Sequence, residues 1–286
     1  MRRASRFTSV GLGWGQRWGS GFRLLCGLGL AVTMSAGLAQ ASACDKPVYL
    51  TFDTGHMAVT PLVADVLKRQ EIAVTFFLAN EATKTGGGSL DDEWRAQWQA
   101  WAKEGHAFGS HTFDHVYWLA DLPDGRFRVR ASAGPEKGRV RVFTAEQYCE
   151  SLDKVNARFE AMTGQTLMPL FRAAGGKTSP ALIKAARQCG YEHVGWSPAG
   201  FLGDELPSDR FPNQRLLEQA LRNIRAGDVM VAHLGIWSRQ DPWAPAVLEP
   251  LIVGLKAKGF CFKTLADHPV FGTVTKRDLN SSAGAR

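Results

Sequence analysis

The chain reads as an α/β protein, a (β/α) barrel or near-barrel, with an open doubly wound sheet as the alternative. Three observations predict this. Short apolar runs alternate with amphipathic stretches about seven times over one domain length. The apolar runs are rich in β-branched and aromatic residues, as in Val74-Thr-Phe-Phe-Leu78. Four reactive side chains, Asp53, His111, Arg172 and His233, each fall just after such a run. In a parallel barrel that is the end of the strands where chemistry collects.

The elements follow in order. Residues 48–52 form a buried strand, and 61–69 a helix opened by Pro61 at an early position. Residues 72–78 form the next strand. A helix over 91–103 has Asp91 and Asp92 at its positive end. A short strand over 106–110 delivers a histidine-rich segment. Thr144-Ala-Glu-Gln147 is a capping pattern that opens a helix over 144–162. Strands over 167–172, 193–196, 228–232 and 260–264 alternate with helices over 179–188, 214–225 and 245–258. Between residues 126 and 143 the alternation gives way to a hairpin with period-two patterning. That pattern puts Arg126, Arg128, Arg130, Arg139 and Arg141 on one face. The face is read as a solvated one in preference to a contact for an anionic polymer. Residues 274–286 are small and polar and form a loose tail.

Composition excludes one class of partner. The net charge is +7, but residues 1–43 hold Arg2, Arg3, Arg6, Arg17 and Arg23 and no acid. Removing those five takes +7 to +2, so nucleic acid is not expected as a partner. The same stretch has a basic start, an apolar run over 24–38 and small residues up to Ala43, the pattern of a signal peptide over 1–43. The chain is therefore expected to be exported, periplasmic or extracellular, with its domain over 44–273. Cys26 leaves with the signal. Cys44, Cys149, Cys189 and Cys261 remain, as two disulfides of open connectivity or as buried thiols. Membrane association would follow only from lipidation of Cys44.

The motifs carry the chemistry. Thr51-Phe-Asp-Thr-Gly55 ends the first strand in an acid. His111-Thr-Phe-Asp-His115 sets two histidines four residues apart, on one face of a helical turn and within reach of one divalent ion. Phe171-Arg-Ala-Ala-Gly175, Gly195-Trp-Ser-Pro-Ala-Gly200 and Val231-Ala-His-Leu234 follow in order. Together these resemble the polysaccharide deacetylase, or NodB-homology, family over roughly residues 47–268. Its first motif is Thr-Phe-Asp-Asp-Gly, so Thr54 stands here in place of the second Asp. The His-Ser/Thr-x-x-His motif matches in full. The Arg-Pro-Pro-Tyr-Gly motif keeps its Arg and a glycine. The Asp-bearing Trp segment has no Asp, and Leu-x-His has Val for Leu.

The resemblance implies a distorted seven-stranded barrel and an exported, metal-dependent carbohydrate deacetylase. Its partner would be an acetylated envelope or extracellular polysaccharide. His111 and His115 would be ligands of a divalent metal, with Zn²⁺ the expected ion, and Asp53 the general base held by Arg172. His233 would be the general acid, with Asp204 as the candidate to replace the absent Asp beside it. Asp114, His56 or Asp53 itself is a candidate for the ligand position that Thr54 leaves open. Trp196 and Trp237 are candidates for stacking on sugar rings, with Trp118 and Trp243 also near strand ends. Two competing readings are a non-catalytic glycan-binding relative and a metal-independent C–N hydrolase of a small amide.

Overall fold

The computed structural model describes residues 44–274. The expected signal peptide and most of the expected tail lie outside the described residues. Strand β1, Pro47–Asp53, is buried almost throughout and pairs in parallel with β2, Thr75–Leu78. β2 pairs with β3, Ala107–Ser110, and β3 with a two-residue β7, Leu170–Phe171. β7 pairs with β8, Glu192–His193. On its other edge β1 pairs with β9, Val229–His233, while its first residues pair with β10, Cys261–Phe262, on the β2 side.

From β1 through β9 the strands of this sheet follow one another in chain order with no reversal, β10 standing apart at the start of β1, unlike a doubly wound sheet, whose order turns back at a switch point. The last edge of the ring is irregular. Past β8 the chain reaches β9 through a single bridge, Phe201 to Val231. Ser197 N–H and Leu202 N–H donate to Val229 O and Val231 O, and Val231 N–H donates to Gly200 O. The result is a distorted parallel barrel flanked by helices.

The helices bury their apolar stripes against the strands. They are α1 (Thr60–Arg69), α2 (Arg95–Lys103), α3 (Ala145–Thr163), α4 (Pro180–Gln188), α5 (Asn213–Asn223) and α6 (Glu249–Ala257). The capping box of α3 is formed as the sequence indicates: Thr144 Oγ1 accepts from Gln147 N–H, and Gln147 caps Thr144 N–H in return. The main core places Phe52, Phe76 and Phe108 against Trp98 and Trp101.

Between β3 and α3 lies a second, antiparallel sheet: β4 (Val116–Asp121), β5 (Phe127–Ala131) and β6 (Val140–Phe143). The expected hairpin is β5–β6. β4 was not foreseen, because residues 116–121 lack the clean alternation that betrays a strand. Phe127, Val129 and Ala131 pack on Tyr148 of α3 and Leu182 of α4. The expectation of five arginines on one face is overturned by register. Arg128 pairs with Val142 and Arg130 with Val140, while Arg141 pairs with Val129. Directly paired residues share a face, so Arg128 and Arg130 lie opposite Arg141. Arg139 and Arg141 are also ion-paired to Glu136.

All four described cysteines are cross-linked, Cys44 to Cys261 and Cys149 to Cys189. The sulfur of Cys44 is therefore not a free thiol that a lipid thioether could use. Among the described residues no helix is long and apolar enough to cross a membrane.

Candidate active site

The C-terminal ends of the strands form one rim. Asp53 closes β1 and His233 closes β9, side by side in register. His111 follows β3 directly, and Arg172 follows β7. All four sequence-identified side chains meet at this end, beside a cleft of about 550 Å³ lined by Asp53, His111, His115 and His233. Trp196 and Trp237 also line it, as expected. Trp243 instead packs in the core, and Trp118 sits on the small sheet with its indole N–H donated to Asp121.

Asp53 is 3 % exposed and Arg172 fully buried. Arg172 Nη1 donates to Asp53 Oδ1 at 2.7 Å and to Thr51 Oγ1 at 2.8 Å. Its remaining donors reach Val194 O at 3.2 Å and Gly195 O at 3.1 Å, so the guanidinium is fixed on four sides. Burial alone would raise the Asp53 carboxyl. Arg172, with His111 and His233, outweighs it and holds the group below its ordinary range. Asp53 is a carboxylate that stays ionised in a nearly dry setting.

The two histidines converge, but not on a helical turn. Residues 111–115 form a loop in which Thr112 (φ 63°) and His115 (φ 47°) adopt the left-handed conformation. Such residues cost of order 1 kcal/mol or more each and persist only where the surroundings enforce them. Here Thr112 Oγ1 accepts from Val116 N–H at 2.7 Å and donates to His111 O at 2.6 Å.

The proton positions follow from the partners. His111 Nδ1 lies 2.8 Å from Arg172 O, which can only accept, so Nδ1 carries the proton and Nε2 a lone pair. His115 Nδ1 lies 2.5 Å from Ser132 Oγ, and that hydroxyl donates to His115 O at 3.2 Å. His115 Nδ1 therefore donates, which in the neutral ring leaves Nε2 with its lone pair. The two Nε2 atoms face each other at 3.2 Å. Two lone pairs at that distance repel unless a shared proton or a metal ion lies between them. Two Zn–N bonds at a tetrahedral angle would set the nitrogens about 3.3 Å apart. Burial, together with the neighbouring His115, holds His111 down at about 4 despite Asp53, so it is neutral and ready to ligate. The pair fits a divalent metal. Among the described residues no cage of three His, Cys, Asp or Glu side chains is already assembled.

His233 has the partner that its motif lacks. Asp204, 4 % exposed, lies 3.1 Å from His233 Nδ1 through both oxygens and accepts from His233 N–H at 2.7 Å. Burial would depress the imidazolium, but Asp204, then Asp53 and Glu205, raise it to about 10. His233 is thus a protonated donor, with Nδ1–H held by Asp204 and Nε2 as its other nitrogen.

Neither Asp114 nor His56 joins the histidine pair. Asp114 turns to the tight turn at Gly134, where a Cβ would lie 2.3 Å from its carboxylate. His56 Nδ1 accepts from Ala58 N–H at 3.1 Å, and its ring packs on Trp237. Asp53 Oδ2 comes within 3.5 Å of His111 Nε2 but is held by Arg172 through its other oxygen.

Three cleft residues were missed by reading the sequence. Glu81, in the loop after β2, has its carboxylate 2.7 Å from Thr54 Oγ1 and 3.8 Å from His115 Nδ1. Its place just past a strand end was the signal that could have found it. Tyr117, on β4, lies edge-on to His115 at 5.0 Å and lines the cleft. It fits only because residue 175 is glycine, at φ 60°, since a Cβ there would come 2.6 Å from the ring. Ser132 comes from the end of β5. Nothing marked Tyr117 and Ser132, because the register of the small sheet puts them there.

The sequence pattern of the polysaccharide deacetylase family matches residues 40–194. The chain belongs to that family. It is a hydrolase of carbon–nitrogen bonds other than peptide bonds, on an α/β barrel-like fold. It is similar to the peptidoglycan-N-acetylmuramic acid deacetylase PdaA of Bacillus subtilis, at 27 % identity over 224 residues, 78 % of this chain and 71 % of the relative. It is also similar to a chitooligosaccharide deacetylase of Azorhizobium caulinodans, at 26 % identity over 239 residues, covering 79 % and 96 %. Among solved structures it resembles a family 4 acetyl xylan esterase from Clostridium thermocellum, in complex with a cobalt ion. The TM-score is 0.61 at 22 % identity, covering 81 % of this chain and 94 % of that one, a likeness of fold.

Proposed function

We propose that this polysaccharide deacetylase is exported, requires a divalent metal, and removes acetyl groups from an envelope or extracellular polysaccharide. One observation carries the reading. An ionised Asp53 clamped by Arg172, two converging imidazole lone pairs and a protonated His233 surround a single cleft. These are the base, the metal ligands and the acid that amide hydrolysis needs.

His111 and His115 hold the metal, with Zn²⁺ the expected ion. When bound, it supplies Lewis-acid polarisation of the acetyl carbonyl and acidification of water. Asp53 takes the proton from the attacking water; Arg172 keeps it ionised and aimed. His233 delivers a proton from Nε2 to the departing nitrogen, so that acetamide and water become acetate and amine. Asp204 holds the ring by Nδ1 and stabilises its charge. Trp196 and Trp237 offer ring faces to sugars at the cleft. Trp237, 60 % exposed, stands at the rim.

The names of the relatives, which act on peptidoglycan and chitooligosaccharide, support a glycan as substrate. The two disulfides support an oxidising compartment, periplasmic or extracellular, and a domain beginning at residue 44. The test is acetate release from acetylated peptidoglycan and chitooligosaccharides, before and after chelation and with Zn²⁺ restored. Release that chelation abolishes and Zn²⁺ restores is expected. No release from any acetylated glycan would overturn the reading and leave the non-catalytic binder. Release indifferent to chelators would favour the metal-independent hydrolase.

A further inference from the structure

A site with two neutral histidines and no anion holds a divalent ion weakly, because charge neutralisation supplies much of the affinity. The family's first motif provides that anion as its second Asp, and this chain has Thr54 there. We propose that Glu81 replaces it, as a metal ligand reaching in from the loop after β2, and that Thr54 is the positioning residue that aims it. The proposal rests on the metal-dependent reading above and names a ligand that the family's motifs do not contain.

The hydrogen bonds give Thr54 a direction. Its Oγ1 accepts from Ala79 N–H at 3.1 Å, so its single proton is free to be donated, and it goes to Glu81 Oε2 at 2.7 Å. The carboxylate therefore lies one hydrogen bond from the place where the motif's own acid would begin. Its other oxygen, Oε1, is 3.8 Å from His115 Nδ1, the ring nitrogen on the far side from the facing Nε2 pair. A glutamate is longer than an aspartate by one methylene, which gives a carboxylate anchored beyond the neighbouring strand more reach.

The backbone holds Glu81 at this spot. Glu81 N–H donates to Ser89 Oγ at 3.1 Å, and Ser89 N–H donates to Glu81 O at 2.8 Å. The preceding Asn80 N–H donates to Phe113 O at 2.6 Å, tying the Glu81 loop to the histidine loop itself. Among the described residues the other acids near the histidines have different roles, although Asp53 Oδ2 does lie 3.5 Å from His111 Nε2. Asp53 is committed to Arg172, and Asp114 faces the turn at Gly134. Completing the set requires the Glu81 side chain to turn from His115 Nδ1 towards the facing Nε2 atoms. A ligand on its own strand end has been exchanged for a ligand on the neighbouring one, with a hydroxyl relay between them.

The experiment measures metal affinity in the full-length folded protein, by chelator competition with Zn²⁺ and by the visible spectrum of the Co²⁺ form. Near-ultraviolet circular dichroism confirms the fold of each variant. Wild type should take up one ion. Glu81→Gln should weaken binding by at least about 100-fold and alter the Co²⁺ bands, and Thr54→Val should weaken it about tenfold. Adding Thr54→Asp to Glu81→Gln should restore affinity to within about tenfold of wild type, because it returns a carboxylate to the end of β1. This double variant also separates loss of a ligand from loss of fold. If Glu81→Gln binds within threefold of wild type while His111→Ala does not bind, the Glu81 inference fails and the metal-dependent reading stands. If wild type binds no metal and Thr54→Asp does, Glu81 does not replace the lost acid and the inference fails. If no form binds metal yet acetate is released, the metal-dependent reading itself fails.

Discussion

Replacing Asp204 by Asn removes one charge from beside His233 and changes almost nothing in size. Both carboxylate oxygens lie 3.1 Å from His233 Nδ1, in a pair whose carboxylate is buried and whose imidazole is half-buried. Opposite unit charges about 4 Å apart at an effective dielectric of 20 attract by about 4 kcal/mol. That corresponds to roughly 3 pKa units. The imidazolium, held up at about 10 in the native protein, should then titrate near neutrality. If His233 is the general acid, activity requires its protonated form, and the alkaline limb of the pH–rate profile should move from near pH 10 to about pH 7. At pH 8.5 the rate should fall roughly 30-fold from protonation alone.

Stability gives an independent check. A raised native pKa contributes stability that is complete below the unfolded value of about 6.5 and is lost as pH rises through about 10. The deficit of Asp204→Asn should therefore be largest near pH 6 and shrink towards pH 10. The assays are acetate release from pH 5 to 11, urea denaturation at pH 6 and pH 10, and titration of the His233 ring by NMR. An alkaline limb within half a unit of wild type would refute both the role of Asp204 and that of His233.

Two other outcomes are expected. Arg172→Met leaves Asp53 buried without its cation, and the carbonyls of Val194 and Gly195 without donors. It should cost about 3–5 kcal/mol in urea denaturation and move the acid limb of activity upward, as Asp53 becomes easier to protonate. An unmoved acid limb would separate Asp53 from the base role. Converting Cys149 and Cys189 to Ser opens a cross-link spanning 40 residues and should cost about 4 kcal/mol on the chain-entropy account, without altering metal uptake. A change in thermal unfolding equivalent to less than 1 kcal/mol would contradict that account.

Much of the site was legible because strand-end placement is a local property. An apolar run that stops at a reactive residue marks both the strand and its end, which is how Asp53, His111, Arg172 and His233 were found. Asp204 was reachable for a related reason: the motif that should carry an acid had none, and the next acid along the chain lay eight residues past Trp196. Glu81 was missed although it too follows a strand closely. Nothing local distinguishes a glutamate that faces a cleft from one that faces solvent. The face of the arginines was misjudged because alternation gives a face within one strand only. Whether two strands share it depends on a register that the turn between them decides.

The sequence alone determined the alternation of strands and helices, the cap of α3, the order of the reactive residues and the absence of an acid at Thr54. Each of these is written in neighbouring residues and needs no long-range contact to be read. Tertiary structure alone decided the pairing of the four cysteines, the entry of Tyr117 and Ser132 into the cleft, and the left-handed loop that brings His111 and His115 together. It also decided that the carboxylate nearest the gap at Thr54 arrives from another strand. The physical reason is distance along the chain. Thr54 and Glu81 are 27 residues apart and separated by a helix and a strand. Only the parallel pairing of β1 with β2 makes their side chains neighbours.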